Sequence, residues 1–277
     1  MTTTPTRTLP NGDEIPAVGF GTYALSDEEV TEAVPVAIEA GYTHIDTAEG
    51  YENEAALGDV LADYDREDLF VTSKVLPPNL HYESLLESLS DSLERLGTDY
   101  LDLYLIHWPN PAISLRETIG ALEQAHEEGL VRNIGVSNFS TYQLRFARKI
   151  ADVPIAVNQI EFHPWYFRED LLEYCHEHDV VVEAAAPLAR AQYLDDPRVV
   201  KAAEQHDVAP AQIVLKWAIE KGVVVLPKST NPEHVASNID LFGWELDGET
   251  IARLDEIQRM ENVYMITPDH DTYGISP

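Results

Sequence analysis

Apolar positions along this chain follow two rhythms. Short runs in which most residues are apolar recur near 17–22, 44–47, 69–75, 101–107, 131–136, 156–161, 180–185 and 223–227, as in VVVEAAA and VVVLP. Such runs are expected of parallel strands covered on both faces. Between them the apolar residues return at helical spacing. SDEEVTEAVPVAIEAG at 26–41 carries its own boundaries: Ser26 as N-cap, acids in the first turn and Gly41 at the end, with Pro35 expected to bend it. SLLESLSDSLERLG at 84–97 repeats leucine at the same period, and 118–129, 139–150, 169–179, 197–206 and 210–222 read as further helices.

The first strands are of another kind. RTLPNGDEIP at 7–16 reads as a hairpin turned by Asn11 and Gly12, placed to cap the bottom of the later strands. Eight strands alternating with helices, joined by short right-handed connections, predict a parallel sheet closed on itself. The expected fold is a single (β/α)8 TIM barrel with an N-terminal β-hairpin, one domain over residues 1–277. The length suits it, since such barrels need roughly 250 residues.

Composition narrows the partners. With 18 basic against 49 acidic residues the net charge is −31, which makes nucleic acid a poor partner. The acids run along the whole chain, so they describe a surface and not a tail. A surface adapted to concentrated salt fits this pattern, and an ordinary acidic enzyme is the alternative. No apolar run approaches a membrane span and the N-terminus lacks an apolar signal core, so a cytoplasmic protein without a membrane partner is expected. Cys175 is the lone cysteine and reads as a structural thiol. No metal site is expected at it or at His176 and His178, which face different sides of a helix.

Polar residues stand at or just beyond the ends of successive strands: Asp46 and Tyr51 in HIDTAEGYENE, Lys74 in VTSKV and His107 in LIHWP. In a barrel the carboxyl ends of strands share one mouth, so these four are expected to converge. Together they can reduce a carbonyl. A phenol can give the proton needed by the developing alkoxide, a lysine beside it can favour the phenolate, an aspartate can hold that lysine charged, and a histidine can aim the carbonyl oxygen. Tyr23 and Trp108 are expected to line an aromatic mouth for substrate, with Trp165 and Tyr166 either joining them or packing the loop after NQIEFHP. After the last predicted helix only VYMITPDHDTYGISP remains, so no long C-terminal loop is expected over the pocket.

With VGFGTY, HIDTAEGYENE, VTSKV, LIHWP, GVSNF, NQIEFHP and VVVLPKS in order from residue 17 to 229, the chain closely resembles the aldo-keto reductase family. The resemblance implies an NAD(P)H-dependent oxidoreductase reducing aldehydes or ketones, with Asp46, Tyr51, Lys74 and His107 as a catalytic tetrad and the tyrosine as general acid. The chain has no GxGxxG fingerprint, so the barrel mouth must hold the dinucleotide. The resemblance places Gly21 and Thr22 beside it, Ser137, Asn138 and Gln159 on the carboxamide, Leu188 and Arg190 near the pyrophosphate, and Lys228, Ser229 and Asn238 at the adenosine end. Two positions depart from the family: Ala185 stands where many relatives stack an aromatic ring on the nicotinamide, and His234 where they carry arginine. The cofactor is expected to be NADPH, with NADH as the alternative, the substrate a small carbonyl compound, and the protein a monomer. A redox-sensing regulatory subunit and a metal-dependent hydrolase using His107, Asp46 and His163 are the rival readings.

Overall fold

The computed structural model describes residues 4–257 and Val263. A two-stranded antiparallel hairpin, β1 (Thr6–Thr8) with β2 (Glu14–Pro16), precedes eight parallel strands in sequential order: β3 (Phe20–Gly21), β4 (His44–Asp46), β5 (Phe70–Val75), β6 (Leu101–Ile106), β7 (Val131–Ser137), β8 (Ile155–Glu161), β9 (Val181–Ala185) and β10 (Val224–Val225). The sheet closes on itself. Val18 bridges Val225 in parallel, and the Gly19 and Gly21 amides donate to the carbonyls of Val225 and Pro227 at 2.9 and 3.1 Å. This is a (β/α)8 barrel, and every strand expected from the apolar runs is present.

The helices are α1 (Asp27–Ala40), α2 (Glu54–Leu61), α3 (Tyr82–Leu96), α4 (Leu115–Glu127), α5 (Thr141–Ile150), α6 (Glu169–His176), α7 (Pro197–His206), α8 (Pro210–Glu220), α9 (Pro232–Ile239) and α10 (Gly248–Asp255). Ser26 caps α1 in a reciprocal box with Glu29, and Gly41 ends it at φ 107°, a left-handed turn suited to glycine. Pro35 does not interrupt the helix. Among the described residues no helix is long and apolar enough to cross a membrane.

Strand alternation divides the core in two. Outward residues such as Val71, Val75, Tyr104 and Ile106 pack beneath the helices in the larger cluster. Inward residues form a smaller one, in which Phe70, Leu103, Leu105, Val157 and Val224 meet Leu9 and Ile15 of the hairpin segment. The hairpin therefore plugs the barrel bottom, as its position predicted. Above that apolar floor the inward residues turn polar: His44 and Asp46 on β4, Thr72 and Lys74 on β5, Gln159 on β8 and Glu183 on β9, all buried. That change of chemistry along the barrel axis is what raises a reactive cluster to the mouth.

Candidate active site

Lys74 is the centre of the cluster. Its side chain is 0% exposed, and Nζ donates to Asp46 Oδ1 at 2.7 Å, to the Thr47 carbonyl at 2.8 Å and to Tyr51 Oη at 3.1 Å. Asp46 is positioned by its strand, and its carbonyl takes bonds from the amide and hydroxyl of Thr22 at 3.0 and 3.1 Å. Tyr51 ends a short 3-10 turn (Glu49–Tyr51) just past β4. Asn53 pins that turn, donating to the Thr22 and Leu25 carbonyls at 3.0 Å each. Sequence reasoning missed Asn53, although it lies within the same motif.

His107 follows β6 with its ring 5.6 Å from that of Tyr51, edge to face. Burial, and then the Lys74 charge, pull its pKa down to about 3, so the imidazole is neutral at ordinary pH. Tyr51 moves the other way. Burial, followed by Asp46 and Tyr23, raises its pKa well above that of a free phenol. Lys74 was expected to favour the phenolate, with Asp46 holding it charged; burial, and then the Asp46 charge beside the ammonium, act the other way, so the phenol keeps its proton.

The four residues expected to converge thus do so. Tyr23 joins them, 53% exposed, with its ring 5.1 Å from that of Tyr51 and the Arg190 guanidinium 5.8 Å from its own ring. Arg190 sits in a loop where Ala186, Ala189, Arg190 and Ala191 all have left-handed backbone, between φ 47° and 60°. Four such residues without a glycine make a strained segment beside the mouth. Leu188 lies half-buried in that loop, and Trp108 half-buried just past β6. Trp165 is different: it is wholly buried and donates to Asp196 at 3.4 Å, so it packs the core and does not line the mouth. The C-terminal stretch expected to leave the pocket open lies outside the described residues, apart from Val263.

At the ends of β7 and β8, Ser137 Oγ donates to the Gln159 carbonyl at 2.9 Å, and Asn138 Nδ2 donates to the His107 carbonyl at 3.0 Å. Gln159 Nε2 donates to Asp46 Oδ2 at 2.8 Å and to Glu183 Oε2 at 3.1 Å. Neither Glu183 nor its neighbour His44 stands out in the sequence, where the glutamate passes for an interruption in an apolar run. Burial and then Asp46 push the Glu183 carboxyl up to about 8, while burial and then Lys74 pull His44 down to about 3.

Across the mouth, Gly21 and Lys228 are neighbours, since a Cβ on the glycine would lie 4.0 Å from that of the lysine. Lys228 is exposed, Ser229 Oγ accepts from the Asn231 amide at 3.1 Å, and α9 then presents His234 to solvent and buries Asn238. An exposed ammonium, a hydroxyl and a helix start are chemically suited to a phosphate, and the polar mouth lies beyond them. These residues fit a phosphate-bearing dinucleotide.

His163, imagined as a metal ligand, is otherwise engaged. One ring nitrogen meets Glu161 at 2.9 Å and the other the Tyr166 amide at 3.0 Å, while Asp46 is bonded to Lys74 and Gln159. Cys175 is buried and its thiol is raised to about 12 by burial, so it is inert.

A sequence profile described as the Aldo/keto reductase family matches residues 17–259. The chain belongs to this family. A glyoxal reductase of Bacillus subtilis is 40% identical over 258 residues, covering 92% of this chain and 93% of the relative. An aldo-keto reductase of Mycolicibacterium vanbaalenii is 40% identical over 97% of this chain and 96% of its own length. Among solved structures, a Bombyx mori aldo-keto reductase in complex with NADP superposes with a TM-score of 0.90 at 34% identity, over 95% of each chain. An aldo/keto reductase from Brucella melitensis gives 0.88 at 40% identity, over 92% of this chain and 100% of its own. As an aldo-keto reductase the protein is an NAD(P)H-dependent oxidoreductase of small carbonyl compounds.

Proposed function

We propose that this aldo-keto reductase uses Tyr51 as general acid to reduce small aldehydes or dicarbonyls with NADPH. The observation that carries the reading is the contact of Tyr51 Oη with a fully buried Lys74 whose other two bonds go to Asp46 and Thr47. When bound, the nicotinamide supplies the hydride to the carbonyl carbon. Tyr51 gives its proton to the carbonyl oxygen, completing the alcohol, and the phenolate left behind faces the Lys74 ammonium until a proton returns from solvent. Neutral His107, beside the tyrosine ring, orients the carbonyl oxygen by a hydrogen bond without adding charge.

NADPH is favoured by Lys228 and Ser229, which supply charge and a hydroxyl to a 2′-phosphate. A dicarbonyl is favoured by the glyoxal reductase relative. The protein acts as a monomer in the cytoplasm, a single domain whose acidic surface is adapted to high salt. Carbonyl-dependent NADPH oxidation by the wild type and Tyr51→Phe, measured with glyoxal and a panel of aldehydes, tests the reading. The substitution keeps the ring and removes the proton donor, so turnover should fall by about 10²–10⁴ with NADPH still bound. Turnover like that of the wild type would reject Tyr51 as the acid.

A further inference from the structure

The barrel interior holds a second carboxyl group that the proposed chemistry does not use. Glu183 is fully buried, and its Oε2 accepts from Gln159 Nε2 at 3.1 Å. Its Oε1 lies 3.7 Å from His44 Nε2 and makes no hydrogen bond among the described residues. The same Gln159 nitrogen reaches Asp46 Oδ2 at 2.8 Å. Both amide hydrogens therefore end on carboxyl oxygens, and the amide oxygen can only turn the other way. A reversed amide would set its oxygen against Asp46 Oδ2, an oxygen of the carboxylate paired with Lys74. The histidine behind Glu183 is equally confined: its Nε2 is 3.1 Å from Thr72 Oγ1, and a Cβ on Gly19 would come within 2.6 Å of its Nδ1.

We propose that Glu183 is a positioning residue of the reductase site: by taking one amide hydrogen of Gln159 while Asp46 takes the other, it fixes that amide with its oxygen turned to the nicotinamide carboxamide. The inference rests on the function proposed above. The groups facing Glu183 are His44 and Asp46 from β4, Lys74 from β5 and Gln159 from β8, with apolar Val224 paired to it on β10. A buried carboxyl with an anion nearby and no cation in contact keeps its proton at neutral pH. In that state Asp46 keeps its Gln159 bond, and Lys74 answers one carboxylate. Once Glu183 ionises it sets a second negative charge beside Asp46 and near Lys74, and the repulsion between the two carboxylates that hold Gln159 loosens its amide. Nicotinamide binding should then weaken on the alkaline side.

Dissociation constants for NADPH and for 2′,5′-ADP, read from protein fluorescence in wild type, Glu183→Leu and Glu183→Gln, test this from about pH 6 to about pH 9. 2′,5′-ADP carries the adenosine end without a nicotinamide. Glu183→Leu removes the acceptor and should weaken NADPH about tenfold, the order of one hydrogen bond, while 2′,5′-ADP stays within about twofold. Wild-type affinity for NADPH should decline as pH passes about 8, and Glu183→Gln, which offers Gln159 an oxygen but has no proton to lose, should abolish that decline. NADPH affinity unchanged in Glu183→Leu, or both ligands weakened alike, would overturn the proposal. If the leucine variant does not fold, an alkaline decline shared by wild type and Glu183→Gln overturns it instead. Wild type that binds neither ligand would bring down the proposed function itself, a failure distinct from either.

Discussion

Adjacent residues on β5 feed two buried ion pairs that are completed differently. Ser73 faces the helices and donates at 2.5 Å to Glu54, which also takes Ser92 Oγ at 3.1 Å and Arg95 Nε and Nη2 at 2.9 and 2.7 Å. A Cβ on Gly58 would run into the Arg95 carbonyl oxygen, so α2 and α3 approach closely only because that residue is glycine. This cluster is a staple, in which a buried carboxylate is met by donors that do not give up their protons. Lys74 faces inward, and its third bond goes to Tyr51, a group that can lose a proton and stands at the mouth. Buried charge alone therefore does not mark a site. What marks it is a last partner that is both titratable and within reach of a ligand.

Cutting each pair should separate the two roles. Lys74→Met should lower kcat/KM by about 10²–10⁴, because the phenolate loses its cation, and should also destabilise by about 3–5 kcal/mol by leaving Asp46 buried without a counter-ion. Arg95→Met should cost about 2–3 kcal/mol in urea unfolding, less because the arginine is partly exposed and two hydroxyls still reach Glu54. Its turnover per folded molecule should stay at the wild-type level. Equal losses of turnover in the two variants would erase the distinction.

Acid should weaken the inner cluster. His44 and His107 have folded pKa values near 3, below the ordinary imidazole value, so the unfolded chain binds more protons between about pH 6.5 and about pH 3. Their contribution is present above about pH 6.5 and is lost as pH falls through that window. Thermal unfolding midpoints from pH 7 to about pH 5 should therefore decline, and His44→Gln should decline less steeply. A steeper decline in the variant would refute the assignment.

The same contrast explains what could be read in the sequence. Strands, barrel and the four converging residues were legible because parallel strands leave unbroken apolar runs and the fold gathers their ends. Helix α2 was not, being eight residues long and opening inside a motif that reads as a loop. Nor was the staple, since Glu54, Ser73, Ser92 and Arg95 come from three separate elements and carry no common spacing. Glu183 was hidden for the opposite reason: one acid within VVVEAAA reads as an interruption of the run until its neighbours on β4 and β8 are known. The raised pKa of Tyr51 was not legible, because its burial and the nearness of Asp46 are properties of the folded mouth.

Exposed charge should respond to salt in the opposite sense from these dry pairs. With a net charge of −31, the unfolding midpoint should rise from dilute to molar KCl as screening relieves carboxylate repulsion, while the KM for NADPH should also rise because phosphate contacts are screened. A flat or falling midpoint across the series would reject the salt-adapted surface.

The smallest effect expected is at His234, exposed on the first turn of α9 near Lys228 and Ser229. An arginine there would add a permanent charge and a planar donor to the end of the site assigned to the 2′-phosphate. Because the position is open to solvent, the gain should be only about twofold to fivefold in NADPH affinity, the range of an exposed ion pair. NADH lacks that phosphate, so its dissociation constant should change less. The ratio of the two constants in His234→Arg, compared in dilute and molar KCl, is the measurement: a ratio shift that fades with salt belongs to a screened surface charge, whereas equal tightening of both cofactors would mean that residue 234 does not sense the 2′-phosphate.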